Sequence, residues 1–224
     1  MIFSMNSNVL GLILSFAFIA FVIAFGIILK QRFGISSESM RKVVHIGVSN
    51  WWFMNLFFFT SFGWALVGPI CFIGVNSLFT ILNWGKSLGL DDRTRNWGLV
   101  YFPITLLLLV IGTYQGVIPP LSATIAVLVM GWGDGLAAMV GSKWGKKKIA
   151  KLNKSYVGCA TMAVVSFIVT ALALGIGSSL SLPTILLSSL LVGVVAMTVE
   201  VLTPWGLDNI TVPLAVVILL GLLL

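Results

Sequence analysis

Three of the chain's six acidic residues, Asp134, Glu200 and Asp208, stand in or beside long apolar runs. An ionised carboxylate in such surroundings must find a cation, a hydrogen-bond donor or water. Around the first of them the sequence reads VMGWGDGLAAMVGSKWGKKK, residues 129–148. Gly131, Gly133 and Gly135 flank Asp134 and leave the backbone free to approach a ligand, and Ala137, Ala138 and Gly141 permit a close-packed neighbour. Lysines follow at 143, 146, 147, 148, 151 and 154. A carboxylate succeeded by cations suits a magnesium-bound polyphosphate, and equally a simple ion pair at a helix end.

Two further stretches carry polar groups at apolar depth. In SESMRKVVHIGVSNWW, residues 37–52, Arg41, His45 and Ser49 repeat every fourth residue, so a helix places them on one face with Lys42 beside them. Two cations and an imidazole there can face a phosphate, or can be topogenic charges with an interfacial histidine. In TVEVLTPWGLDNITVPL, residues 198–214, Glu200 has no basic residue near it in sequence, so its partner must come from another span or be a metal. Asp208-Asn209 opens the next run, where Asp208 can cap a helix or join a metal site. No G-x-x-x-x-G-K-[ST], kinase glycine-rich loop, H-E-x-x-H or G-x-S-x-G occurs. Phosphate chemistry here therefore needs a membrane-embedded site of another type.

The elements that must position these residues follow from composition. Of 224 residues, 59% are hydrophobic and 8% charged, and the mean hydropathy is +1.12. That describes an all-α, polytopic integral membrane protein, because only helices or closed barrels satisfy their backbone in lipid. Runs of the length needed to cross a hydrocarbon core, about 20 residues, or somewhat shorter occur at 9–29, 43–59, 65–82, 99–111, 117–140, 157–174, 182–202 and 210–224. The fourth and eighth are short, so seven or eight spans are expected. All 13 Lys and Arg fall in three connections, 30–42, 86–95 and 143–154, which eight spans put on one face. By the positive-inside rule that face is cytoplasmic and both termini lie outside. The first run has no basic residues before it and no small-residue cleavage site, so it is expected to be retained. The net charge of +7 suits anionic headgroups or phosphates, and no basic soluble module exists to bind nucleic acid. Cys71 and Cys159 stand in different apolar runs, without disulfide or zinc spacing. A single domain, residues 1–224, is expected, with no signal for its oligomeric state.

RKVVH, GWGDGLAAMVGSKWGKKK with LNKSYVG, and VEVLTPWGLDNITVPL, in that order from about Met40 onward, resemble the polyprenol kinase family, the CTP-dependent dolichol, phytol and diacylglycerol kinases. The central motif is shared with the related phosphatidate cytidylyltransferases, whereas R-K-x-x-H and the late E…G-x-D-N…P are similar to the kinase branch. The resemblance implies that Arg41 and Lys42 are essential cations, that Asp134 is the key acid, and that Gly135, Gly141 and Gly145 form the backbone of a nucleotide site. Lys154, Ser155 and Gly158 match the family's K-S-x-x-G element. Val157 stands where the family commonly has glutamate, so no metal or ribose role is assigned there.

The expected activity is transfer of the γ-phosphoryl group of CTP, or another nucleoside triphosphate, to a membrane lipid alcohol of phytol, polyprenol or dolichol type, or to diacylglycerol. Such a reaction asks mainly for alignment and charge neutralisation. Asp134, with Glu200 and Asp208, would hold Mg²⁺. Arg41, Lys42 and lysines from Lys146 to Lys154 would bind phosphate oxygens, Gly133 would let the nucleotide approach, and His45 would orient or deprotonate the alcohol. The expected setting is a bacterial inner membrane with the site on its cytoplasmic face. The alternatives are a phosphatidate cytidylyltransferase, which would release pyrophosphate, and a transporter, against which stands the lack of similarity between the chain's halves.

Overall fold

The computed structural model describes residues 6–84, 97–149 and 154–224, and its regular structure is helical apart from an isolated antiparallel bridge between Lys148 and Ser155. The basic connection expected at 86–95, and Lys151, lie outside the described residues. Among the described residues five helices are long and apolar enough to cross a membrane: Ser7–Phe33, Phe62–Ile81, Pro120–Trp144, Tyr156–Gly177 and Leu182–Leu202. Gly98–Tyr114 and Asp208–Leu223 are also apolar but shorter. The protein is an all-α polytopic membrane protein. Large apolar side chains such as Phe21, Ile176 and Leu222 are exposed around its helices, as a lipid-facing surface requires. The chain divides into two compact units, Met1–Val117 and Ile118–Leu224.

In the first unit α1 (Ser7–Phe33) starts on Asn6, whose side chain accepts the Asn8 N–H, and stops at Gly34 with φ +64°. Its buried face is a stripe of mostly small residues, Asn8, Gly11, Ser15, Ile19, Val22 and Gly26. A side chain at Gly26 would meet Val44 2.7 Å away, so α2 (Ser37–Ser49) approaches through that gap. The apolar run expected at 43–59 is not one helix. Asn50 ends α2, its amide donating to the Ile46 and Gly47 carbonyls at 2.7 and 3.2 Å, and α3 (Trp51–Phe58) restarts beyond it.

Two more helices, α4 (Phe62–Ile81) and α5 (Gly98–Tyr114), pack side by side. Pro103 inside α5 has no N–H for the Leu99 carbonyl one turn back. The Asn76 amide of α4 donates to that carbonyl at 2.7 Å. Lipid offers no water to do so.

The second unit is built around one helix with a wide turn in it. Residues 120–128 form α6 (Pro120–Leu128), Val129–Asp134 form a π turn, and α7 (Gly135–Trp144) completes the rod. The most apolar stretch of this rod is 61% buried, against 22–39% for the other long helices. It is the core of its unit. Against it pack α8 (Tyr156–Gly177) and α10 (Asp208–Leu223). An antiparallel partner, α9 (Leu182–Leu202), contacts α8 closely because a side chain at Gly193 would stand 2.7 Å from the Ala163 carbonyl.

Asn76→Leu should therefore lower the stability of the micelle-embedded protein by about 0.5–2 kcal/mol, since it strands a carbonyl that proline has already freed. Thermal unfolding followed by tryptophan fluorescence checks this, and an unchanged midpoint would show that the carbonyl is satisfied otherwise.

Candidate active site

Asp134 is the last residue of the π turn, Glu200 lies two residues before the end of α9, and Asp208 opens α10. The structure brings these three together: one carboxylate oxygen from each lies within 4.8 Å of the others. All are buried, at 2%, 3% and 8% exposure. A π turn takes an extra residue, so the side chains beyond it are rotated by about 100° from where an uninterrupted α-helix would aim them. At an effective dielectric near 20, two carboxylates this far apart repel by about 3 kcal/mol. Such a group requires a cation.

Lys154 supplies one. Its ammonium is paired with Glu200 and stands 3.7 Å from Asp208. Burial alone would lower its pKa, but Glu200, Asp134 and Asp208 hold it above the ordinary lysine value. The backbone around it is pinned: the Lys154 carbonyl accepts from Ile149 N–H at 2.9 Å, and Tyr156 N–H donates to the Lys147 carbonyl at 3.2 Å. Directly after it Ser155 caps α8, its Oγ accepting the Gly158 N–H at 3.1 Å and donating to the Gly141 carbonyl at 3.4 Å. Glycines make room for that hydroxyl. A side chain at Gly141 would meet Ser155 Oγ at 2.8 Å and Gly158 Cα at 3.2 Å, one at Gly145 would collide with Ser155, and one at Gly158 would meet the Ala137 carbonyl at 3.1 Å.

The other expected site residues are placed as follows. Gly133 packs on Met162 and Ser166 of α8, and Gly135 is buried at the start of α7. The side chain of Lys146 is exposed. Lys143 and Lys147 lie over the rings of Trp144 and Tyr156 at 4.8 and 5.9 Å. Asp208 does not cap α10: Leu207 holds the cap position, and Asp208 instead turns one oxygen to the Asn209 N–H at 3.0 Å and the other towards Lys154. Arg41, Lys42 and His45 belong to α2 of the first unit, where the His45 ring meets Phe102 edge-on at 4.6 Å between centroids. Sequence reasoning required a distant partner for Glu200 but did not identify it as Lys154, 46 residues away. The only signal was the absence of a basic neighbour.

Gly141→Ala should destabilise the protein by about 1–3 kcal/mol, because the added methyl meets backbone and a capping hydroxyl that cannot withdraw. Gly175→Ala in α8 has open space around the new methyl, and its melting temperature should hold or rise. Equal melting of the two variants would contradict this packing.

No family model and no solved structure matches the chain. Among curated proteins, the phytol kinase of Synechocystis sp. (strain ATCC 27184 / PCC 6803 / Kazusa) is 32% identical over 195 residues, which cover 83% of this chain and 80% of that protein. At that identity and coverage, with its motif acids gathered at one place, the chain belongs to the polyprenol/phytol kinase family.

Proposed function

We propose that the protein transfers the terminal phosphoryl group of CTP to the hydroxyl of an isoprenoid membrane alcohol, with Mg²⁺ held by Asp134, Glu200 and Asp208. One observation carries this reading: three buried carboxylates from three different elements meet within 4.8 Å beside a lysine. The fit to Mg²⁺ is chemical. Its preferred ligands are hard oxygens, usually one or two carboxylates completed by water and phosphate. A bound Mg²⁺ would supply positive charge against the negative charge of the phosphates during transfer.

The protein's own groups then have distinct tasks. Lys154 and Lys146 neutralise phosphate oxygens from the segment ahead of α8. Gly133, Gly141, Gly145 and Gly158 keep the approach to α8 narrow, which fixes Ser155 and Lys154 for the nucleotide, and Gly135 belongs to the backbone of the nucleotide site by the family resemblance. The family resemblance implies that Arg41 and Lys42 are essential cations, and the chemistry of an imidazole suits His45 to orient or deprotonate the alcohol. CTP as donor rests on the motif resemblance, and an isoprenoid alcohol on the name of the Synechocystis relative. The run of lysines between positions 143 and 154 of the sequence supports a cytoplasmic orientation, in a bacterial inner membrane.

The test is a transfer assay with purified protein, Mg²⁺, γ-labelled CTP and a panel of phytol, polyprenols and diacylglycerol. Labelled lipid phosphate is expected, and Asp134→Asn and Glu200→Gln should each lower kcat by about 100-fold or more. Arg41→Ala should fall with them if the first unit serves the same reaction. Failure of the wild type to label any alcohol, or full activity in Asp134→Asn, would refute the reading. Release of labelled pyrophosphate in the presence of phosphatidate would instead identify a cytidylyltransferase.

A further inference from the structure

Lys154 occupies an unusual position for a lysine that serves only stability. Its side chain is 32% exposed, while the Glu200 and Asp208 side chains it reaches are 5% and 11% exposed, so the ammonium enters from the rim of the site. Its backbone is fixed by the Ile149 and Tyr156 hydrogen bonds and by the Ser155 cap. The stem has four rotatable bonds. The ammonium can therefore leave without movement of α8, α9 or α10. It carries one positive charge and faces three carboxylates.

We infer that Lys154 is a tethered counter-ion that holds the acid cluster until a divalent cation displaces it, whereupon the released ammonium becomes a ligand for phosphate at the rim. This rests on the metal reading above and adds an exchange to it. Cation binding at Asp134, Glu200 and Asp208 and phosphate binding at Lys154 become two halves of one event. Before exchange, the lysine's charge is spent on the acids, so phosphate alone gains little from it. After exchange, two positive charges have replaced one among the acids, and the ammonium is free. A ligand shifts such an equilibrium only by its differential affinity for the two arrangements, and the coupling is reciprocal.

The experiment uses full-length protein in lipid nanodiscs without nucleotide, with Mn²⁺ alone as the probe, followed by loss of its free paramagnetic signal. Lys154→Gln, whose amide can still donate to Glu200, should bind Mn²⁺ about fivefold or more tightly than wild type, because no lysine must be displaced. A second measurement needs no variant. Reductive methylation of Lys154 in the wild type, read by mass spectrometry against Lys146 as internal reference, should speed up several-fold when Mn²⁺ is added, and it decides the matter if Lys154→Gln does not fold. Mn²⁺ binding that is lost in Glu200→Gln but is unchanged or weaker in Lys154→Gln, or Lys154 methylation that Mn²⁺ leaves unchanged or slows, overturns the exchange and leaves the metal site standing. No Mn²⁺ binding by wild type or Lys154→Gln overturns both.

Discussion

Three carboxylates held within 4.8 Å of one another, in a chain with only six acidic residues, set the terms for the second unit. Each would be expensive alone in an apolar setting, and their mutual repulsion adds to that expense. Their coexistence demands positive charge at the same point. Lys154 meets part of the demand, and its carriage on the segment before α8 ties that segment to the end of α9 and the start of α10. The electrostatic requirement thus joins elements that are far apart in sequence. A divalent cation would meet it more fully, which is why the same cluster reads as a site.

Bringing those elements together is a packing problem, and glycine solves it at defined places. Gly141 and Gly158 face each other across α7 and α8 with Ser155 Oγ between them, so the hydroxyl can cap α8 and reach the Gly141 carbonyl. Gly133 lets Met162 and Ser166 lie against the π turn that ends at Asp134. Without those approaches the acids would still exist, but α8 could not deliver Lys154 to them. The first unit shows the same membrane logic in its backbone, where Asn76 serves a carbonyl that Pro103 leaves open.

Much of this was readable in the residues. The apolar runs are helical at nearly the expected places, because about 20 consecutive apolar residues have few other fates. Asp134, Glu200 and Asp208 stood out because charge is scarce and conspicuous in such a chain. What stayed hidden depends on three-dimensional closeness or on subtle backbone choices. Asn50 divides the second run by taking carbonyls into its own side chain, which hydropathy cannot register. The π turn at Val129–Asp134 leaves no periodic trace in a segment where every residue but Trp132 is buried. Asp208 resembled a helix cap by position, yet Lys154 draws one of its oxygens away. That pairing spans 54 positions, and no local pattern encodes it.

The most direct measurement is an experimental structure of the protein with Mn²⁺ and a non-hydrolysable CTP analogue, with the metal located by its anomalous scattering. Mn²⁺ coordinated by Asp134, Glu200 and Asp208, with the Lys154 ammonium turned to the analogue's phosphates, is the expected result. Mn²⁺ and nucleotide bound elsewhere, with Lys154 still paired to Glu200, would contradict the assignment of this cluster as the phosphoryl-transfer site.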